Sequence, residues 1–189
     1  TATGELLEAA AFEPVLALSP YGGRELLGMT TGANPIPAPT KAERERDKDA
    51  LAAGLAHCAS HGITSLHNMD GNFYQLELLA ELEAEGRLLC RTEVPMHLKH
   101  TDPVTRVDEA LDMRAKYNSD MLWCRRVKMF MDGVIDSRTA FMLQPYPGTD
   151  TCSAPLFSDA QFKEACIRAD AAGLQISVHA IGDAAIRHS

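Results

Sequence analysis

The fold is decided by residues 174–183, which read Leu-Gln-Ile-Ser-Val-His-Ala-Ile-Gly-Asp. With a period of two, Leu174, Ile176 and Val178 share one face of a strand. Gln175, Ser177 and His179 share the other face. The pattern predicts a short strand that ends in a histidine, followed by a Gly-Asp turn and a new helix. Parallel strands of α/β folds carry their active sites at the carboxyl ends. His179 is therefore a candidate site residue.

A second stretch, residues 126–133, has the same design and reads Arg-Val-Lys-Met-Phe-Met-Asp-Gly. Val127, Met129 and Met131 alternate with polar or aromatic residues, among them Lys128 and Asp132. A lysine inside a strand is unusual, because burying its ammonium is costly unless the group is paired, neutralised or bound. Lys128 is the second candidate site residue.

Strands and helices alternate along the rest of the chain. The patterns predict strands near residues 63–67, 88–97, 123–132 and 174–180. Capping signals predict where three helices begin: Thr40 with Glu43, Asp102 followed by a proline, and Ser158 with Gln161. Such alternation implies a parallel sheet with right-handed crossovers.

Two architectures fit this order, an open doubly wound sheet and part of a (β/α)8 barrel. The strands carry charged residues such as Glu93 and Lys128 on one face, which suits a barrel interior better than an open sheet covered on both sides. A complete barrel has eight strands and about 250 residues. We therefore expect an α/β chain that supplies about half of a TIM barrel, with about four strands and their helices.

The domain prediction divides the chain at residue 40. Residues 1–40 are predicted to form an N-terminal helix that stops near Pro14 and a Gly/Pro-rich loop, which is a candidate lid. Residues 41–189 are predicted to form the partial barrel.

Composition excludes several classes of protein. The chain has 189 residues, a formal net charge of −8 and five widely spaced cysteines. It contains no Lys/Arg cluster typical of nucleic-acid binding and no apolar run that could cross a bilayer. The cysteine spacing fits reduced thiols rather than disulfides or a zinc ribbon. We expect a cytoplasmic protein that binds a small-molecule substrate, with no nucleic-acid or membrane partner; a homo-oligomer is compatible with the sequence.

Around Lys128 and His179 the sequence resembles the metal-dependent amidohydrolase superfamily, and most closely amidohydrolase family 3, which includes N-substituted formamide deformylases. The resemblance rests on the residues at 127–133, 137–140 and 145–146, on those at 173–175 and 178–183, and more weakly on 61–67. The order and spacing of these blocks are those of the family.

The resemblance implies a divalent metal site, usually zinc with one or two ions, at the mouth of a (β/α)8 barrel. Lys128, with its amine carboxylated to a carbamate, and His179 would be metal ligands and catalytic residues. A metal-activated hydroxide would hydrolyse a carbon–nitrogen bond of an amide or formamide. The family's His-x-His pair and its later histidine and aspartate have no counterpart here, so we expect an internal fragment that is inactive alone.

Four further residues are assigned to the surroundings of this site. Asp132 and Asp183 follow the two expected ligands and would orient them. His67 ends a strand and is a candidate for the substrate pocket. Arg138 is a candidate for binding a carboxylate or phosphate of the substrate.

Other interpretations stay open at this stage. Lys128 could instead form a structural ion pair with Glu93 or Asp132. His97 and His100 could either reach the mouth of the barrel or lie on a polar loop, and we favour the loop. At the level of function, the alternatives are a non-catalytic barrel fragment, a regulatory or binding module, or a deaminase or lactonase of the same superfamily.

Overall fold

Short parallel strands and helices alternate along the chain. The computed structural model describes Ala11 and residues 14–189. The helices are α1 (Leu27–Thr30), α2 (Lys41–Ser60), α3 (Phe73–Ala84), α4 (Glu109–Lys116), α5 (Asp159–Ala171) and α6 (Asp183–His188). The strands are β1 (Ser65–His67), β2 (Arg91–Glu93), β3 (Met96–His97), β4 (Leu122–Trp123), β5 (Arg126–Phe130) and β6 (Gln175–His179). Two 3-10 turns lie at Arg24–Leu26 and Val104–Asp108.

The strands form two three-stranded sheets, in the orders β1-β2-β4 and β3-β5-β6, and every pairing is parallel. The predicted single strand over residues 88–97 is two strands, β2 and β3, separated by Val94 and Pro95. Pro95 has no N–H to donate to a neighbouring strand, which explains the interruption. The predicted strand over 123–132 is likewise divided, into β4 and β5.

The capping signals fix the two longest helices. Thr40 and Glu43 form a complete capping box at the start of α2, and Ser158 and Gln161 form another at the start of α5. Each box satisfies N–H groups that have no partner within the helix. Both predicted helix starts are confirmed.

The predicted start of the third helix is wrong. Pro103 has an extended backbone (ψ 140°), a 3-10 turn follows it, and α4 begins only at Glu109. The Asp102 carboxylate does not cap the helix; it accepts hydrogen bonds from the Lys99 backbone N–H and from Arg106. An Asp-Pro pair therefore opens a turn here, because the extended proline postpones the helix.

The predicted N-terminal helix over residues 4–12 lies, apart from Ala11, outside the described residues. Residues 14–16 are helical, so helical backbone continues past Pro14. From Tyr21 to Asn34 the chain forms a segment, hereafter the 21–34 segment, that contains a 3-10 turn and α1 but no longer element.

The 21–34 segment is fixed to α2 and α3 rather than loose on the surface. Arg24 donates two hydrogen bonds to the Asp47 carboxylate, with N···O distances of 2.7 and 2.9 Å. The Tyr74 hydroxyl donates to the same carboxylate at 2.7 Å. The Asn72 side chain donates to the Ala33 carbonyl. These contacts join the segment to α2 and to the start of α3.

The hydrophobic core lies between the sheets and the helices. It includes fully buried residues such as Leu76, Leu82, Met96, Val127 and Met129. Because side chains alternate along a strand, the opposite faces of the sheets are left to the charged and polar residues. That second face carries the candidate site.

Candidate active site

Strand pairing puts the polar residues of neighbouring strands on one face. His97 of β3, Lys128 of β5 and Ser177 of β6 lie in one row across the sheet. Phe130 and His179 form the next paired row toward the carboxyl ends. Residues paired in register point to the same side, so Lys128 and His179 share the face opposite the core.

Lys128 is buried, with 6% of its surface exposed. Its ammonium nitrogen lies 4.3 Å from the centre of the Phe130 ring. Burial lowers the pKa of this amine, and the negative charge of Asp70 opposes that effect only in part. Lys128 forms no ion pair with Glu93 or Asp132, since both carboxylates bind other groups. The structural ion pair considered for Lys128 is therefore wrong.

His179 also contacts the Phe130 ring. Its ring centre lies 4.8 Å from that of Phe130. Its Nε2 is 2.8 Å from the Gly133 carbonyl oxygen, which can only accept, so Nε2 carries the proton in this contact. Nδ1 is thereby left as the acceptor or ligand nitrogen. Lys128 and His179 are thus brought together around Phe130.

Asp132 is almost completely buried, with 1% exposed. It accepts backbone N–H groups of Phe141, Ile181 and Gly182 at 2.8 to 3.0 Å. One of its oxygens lies 3.8 Å from His179 Nε2. Asp132 consequently joins the end of β5 to the turn after β6 and to the loop between them.

Asp183 and Arg138 lie farther from the Lys128 row. Asp183 begins α6, and its carboxylate accepts the backbone N–H groups of Leu143 and Ala184. Arg138 is exposed on the loop after β5, in a left-handed backbone conformation (φ 59°). The structure does not bring these two side chains to Lys128.

His67, at the end of β1, contacts a buried carboxylate. Its Nδ1 lies 2.9 Å from Glu93 Oε2, and the same oxygen forms an ion pair with Arg126 Nη2 at 3.0 Å. Glu93 is 3% exposed, whereas 55% of the His67 side chain is exposed. A charged triad thus occupies the polar face beside the Lys128 row.

His97 is the residue whose burial the sequence did not predict. Of its two interpretations, the mouth of the barrel and a polar loop, the favoured loop is wrong, because His97 is 4% exposed and lies in β3, paired with Lys128. Its Nδ1 donates to the Gly28 carbonyl at 3.0 Å, and its ring is 5.2 Å from Phe130. Burial lowers its pKa. The signal was present, because the alternation already put His97 in phase with Glu93.

A cavity of about 550 Å³ opens beside the end of β1. Its walls come from the 21–34 segment, α2, α3 and the turn that contains Asp70. One oxygen of Asp70 is buried without a hydrogen-bond partner among the described residues. The cavity reaches His67 but neither Lys128 nor His179.

Two absences concern the described part of the chain. It contains no group of three or more His, Cys, Asp or Glu side chains that could together hold a metal ion. None of its helices is long and apolar enough to cross a membrane.

Comparison with known proteins gives one family and a small set of relatives. The sequence profile of the amidohydrolase family matches residues 2–189. The Bacillus subtilis (strain 168) protein YtcJ, whose name assigns it to the amidohydrolases, is 24% identical over 143 residues, which are 72% of this chain and 26% of that protein. The exoenzymes regulatory protein AepA of Pectobacterium carotovorum subsp. carotovorum is 38% identical over 73 residues, which are 39% of this chain and 16% of that protein.

Solved structures share the fold. An uncharacterized metal-dependent hydrolase from Pyrococcus horikoshii OT3 superimposes with a TM-score of 0.66 and 20% identity, over 100% of this chain and 36% of the other. Its counterpart from Pyrococcus furiosus gives 0.61 and 24%, over 88% and 32%. The chain therefore spans about a third or less of the length of these relatives.

Proposed function

Because the chain belongs to the amidohydrolase family, we propose that it is part of a metal-dependent hydrolase that cleaves carbon–nitrogen bonds in amides or formamides. One observation carries the proposal: Lys128 is buried with a lowered pKa that the charge of Asp70 offsets only in part, on the face that also holds His179. A buried lysine with a lowered pKa destabilises the fold, so its presence is best explained by a catalytic or metal-binding role.

The parent fold that we propose is a (β/α)8 barrel of which this chain is an internal fragment. In that interpretation β2 with β3, and β4 with β5, are two interrupted barrel strands, so that four strands follow one another in chain order. The parallel pairing and the greater length of the relatives support it. Residues 1–40 would then precede a partial barrel over 41–189. The contacts of the 21–34 segment favour a fixed wall over a moving lid.

The described residues fit part of a metal site. Lys128 and His179 would hold the metal, zinc being our first choice, either through the neutral amine or after carboxylation of Lys128. A bound divalent metal would supply a nucleophilic water at neutral pH and polarise the carbonyl of the substrate. Further ligands would have to come from elsewhere in a longer polypeptide.

The chain's own residues prepare this site. Burial keeps the Lys128 amine available as a neutral group. The Gly133 carbonyl fixes the His179 ring so that Nδ1 is free to bind. Asp132 holds together the segments around His179. Asp183 and Arg138 are assigned to the substrate-binding loop region.

The test is a Lys128→Ala substitution in the longer polypeptide that contains this chain. We expect the bound metal, measured by mass spectrometry of the purified protein, to fall. We also expect hydrolysis of a panel of N-formyl and N-acyl amines to drop by at least about 100-fold, since even groups that only orient metal ligands contribute 10–100-fold. The control is Lys163→Ala, which removes an exposed lysine of α5. Unchanged metal content and activity would refute the proposal.

A second candidate function is regulatory. The similarity to AepA, a protein named for regulation, is the observation that favours it. If the purified parent polypeptide binds no divalent metal and hydrolyses none of the panel, a non-catalytic binding or regulatory module becomes the better interpretation. A deaminase or lactonase would instead bind metal and fail only on the amide panel.

A further inference from the structure

The starting observation is a buried carboxylate with two basic neighbours. Glu93 is 3% exposed and uses one oxygen, Oε2, to contact both His67 Nδ1 and Arg126 Nη2. A buried carboxylate needs a positive partner and hydrogen-bond donors to offset its desolvation. The question is which of the two neighbours supplies the charge and which is held in place by it.

Arg126 supplies the charge. It is 6% exposed, always protonated, and lies with Nη2 3.0 Å from the Glu93 carboxylate, while the same Nη2 donates a hydrogen bond to the Gln175 side chain at 2.7 Å. Because this guanidinium already offsets the charge of the carboxylate, Glu93 does not need a second positive charge from His67.

His67 is then fixed in one tautomer. An ionised carboxylate accepts only, so the proton lies on Nδ1 and Nε2 is left as a bare acceptor. The ring is not enclosed, because 55% of the side chain is exposed. It lies at the carboxyl end of β1 and is paired in register with Glu93 of β2, so the two side chains share one face of their sheet.

We propose that Glu93 is a positioning residue that presents His67 Nε2 as a hydrogen-bond acceptor for the N–H of a secondary amide substrate. The proposal rests on the function proposed above for the substrate class, but its geometry does not depend on the metal. If the contact between Glu93 and His67 served stability alone, burying the imidazole together with the carboxylate would stabilise the fold most. Here only the carboxylate and the guanidinium are buried, and the imidazole is directed outward.

The first experiment reads the tautomer directly. The longer polypeptide is labelled with ¹⁵N-histidine, and long-range proton–nitrogen NMR spectra are recorded near neutral pH, with His67 assigned from the signals lost in a His67→Asn variant. We expect a neutral ring protonated on Nδ1. In Glu93→Gln, whose amide can both donate and accept, we expect a mixture of tautomers. Glu77→Gln, which alters a surface ion pair of α3, should leave the spectrum unchanged.

Three results would overturn the proposal: an imidazolium in the wild type, a proton on Nε2, or a spectrum that is unaffected by Glu93→Gln. Because none of these depends on turnover, they separate this proposal from the proposed function. If the wild type hydrolyses no amide but shows the expected tautomer, the substrate assignment fails and the positioning role stands.

The second experiment tests the substrate class. A secondary amide has an N–H, and its N-methylated counterpart has none. His67→Phe should raise KM for the secondary amide by about 3- to 10-fold, the value of one lost neutral hydrogen bond, and leave KM for the N-methylated amide unchanged. Equal effects on both substrates would show that His67 does not accept a hydrogen bond from the N–H of the substrate, and would overturn that part of the proposal.

Discussion

Lys128 shows that a buried side chain can lower the stability of the folded chain when the neighbouring groups do not offset its desolvation. The lowered pKa means that the folded chain holds the amine proton less tightly than the unfolded chain does. The wild type is therefore less stable where Lys128 is protonated in both states, and it gains stability as the pH rises from the lowered pKa toward the ordinary value of 10.5. This sign gives a prediction.

In the metal-free parent polypeptide, Lys128→Met should increase the free energy of unfolding by about 1 kcal/mol at pH 7, because it replaces a buried, unpaired ammonium by an apolar chain. The advantage over the wild type should shrink as the pH approaches 10.5. Urea unfolding at several pH values measures both. Lys163→Met is the exposed control. A difference in the free energy of unfolding between the variant and the wild type that does not change with pH would contradict the prediction.

Asp132 gives the opposite case, a buried charge whose oxygens are fully used. Asp132→Ala would leave the N–H groups of Phe141, Ile181 and Gly182 without their acceptor. We expect a loss of about 3 kcal/mol in stability, since each buried donor left unpaired costs about 1–3 kcal/mol. Chemical unfolding measures it. Asp49→Ala, which breaks an exposed pair with Arg87, should change stability by less than about 1 kcal/mol.

At the scale of elements, the parts of the fold that depend on neighbouring residues could be predicted from sequence. The boxes at Thr40 and Ser158 and the alternation around Lys128 and His179 all act within one helix turn or one strand. By contrast, the alternation places His97 on the polar face of a strand but does not predict its burial, which depends on Gly28, 69 residues earlier in the chain. Contacts of that length leave no local pattern.

Glu93 makes the same point for the candidate site. Its partners His67 and Arg126 come from two other strands, and only strand register brings them to one oxygen. The division of the strand predicted over residues 88–97 was not predicted either. Pro95 does not disturb the alternation of polar and apolar residues, but it has no N–H with which to complete the hydrogen-bond ladder.

The 21–34 segment is an element whose fit can be tested at one position. A Cβ added at Gly28 would lie 3.0 Å from the Gly71 nitrogen and 3.2 Å from the Asp70 carbonyl carbon, both of them backbone atoms that cannot rotate away. Gly28→Ala should therefore lower stability by about 1–3 kcal/mol and weaken the contact with His97. Thermal unfolding and hydrogen exchange of the segment measure these effects.

Gly54 of α2 offers the matched control. A Cβ there meets no atom within 4 Å. Gly54→Ala should raise stability by about 0.5–1 kcal/mol, because alanine loses less backbone entropy in a helix. If both alanine variants changed stability alike, the tight packing of Gly28 against the Asp70 turn would be wrong.

For the whole molecule, the open edges of the sheets are the main feature. The two sheets have four outer strands, β1, β4, β3 and β6, and each has one edge without a strand partner among the described residues. In the proposed barrel β4 continues into β5 and β3 continues from β2, so the two edges at the ends of the described part are those of β1 and β6. An edge strand leaves some of its backbone N–H and C=O groups without a partner, and the amide protons of these N–H groups exchange quickly with solvent. The proposed barrel would cover both edges with further strands of the longer polypeptide.

This gives the last prediction. In hydrogen-exchange mass spectrometry, peptides that cover β1 and β6 should exchange at least about 10-fold more slowly in the parent polypeptide than in the 189-residue chain prepared alone, because one added ladder protects both edges. Peptides of β5, which is paired on both sides, should differ less. The isolated chain should also bind zinc weakly and show no amidase activity, since only Lys128 and His179 remain as ligands. Equal protection of the outer strands in both preparations, or turnover by the isolated chain, would mean that the chain completes its own site and that the barrel interpretation is wrong.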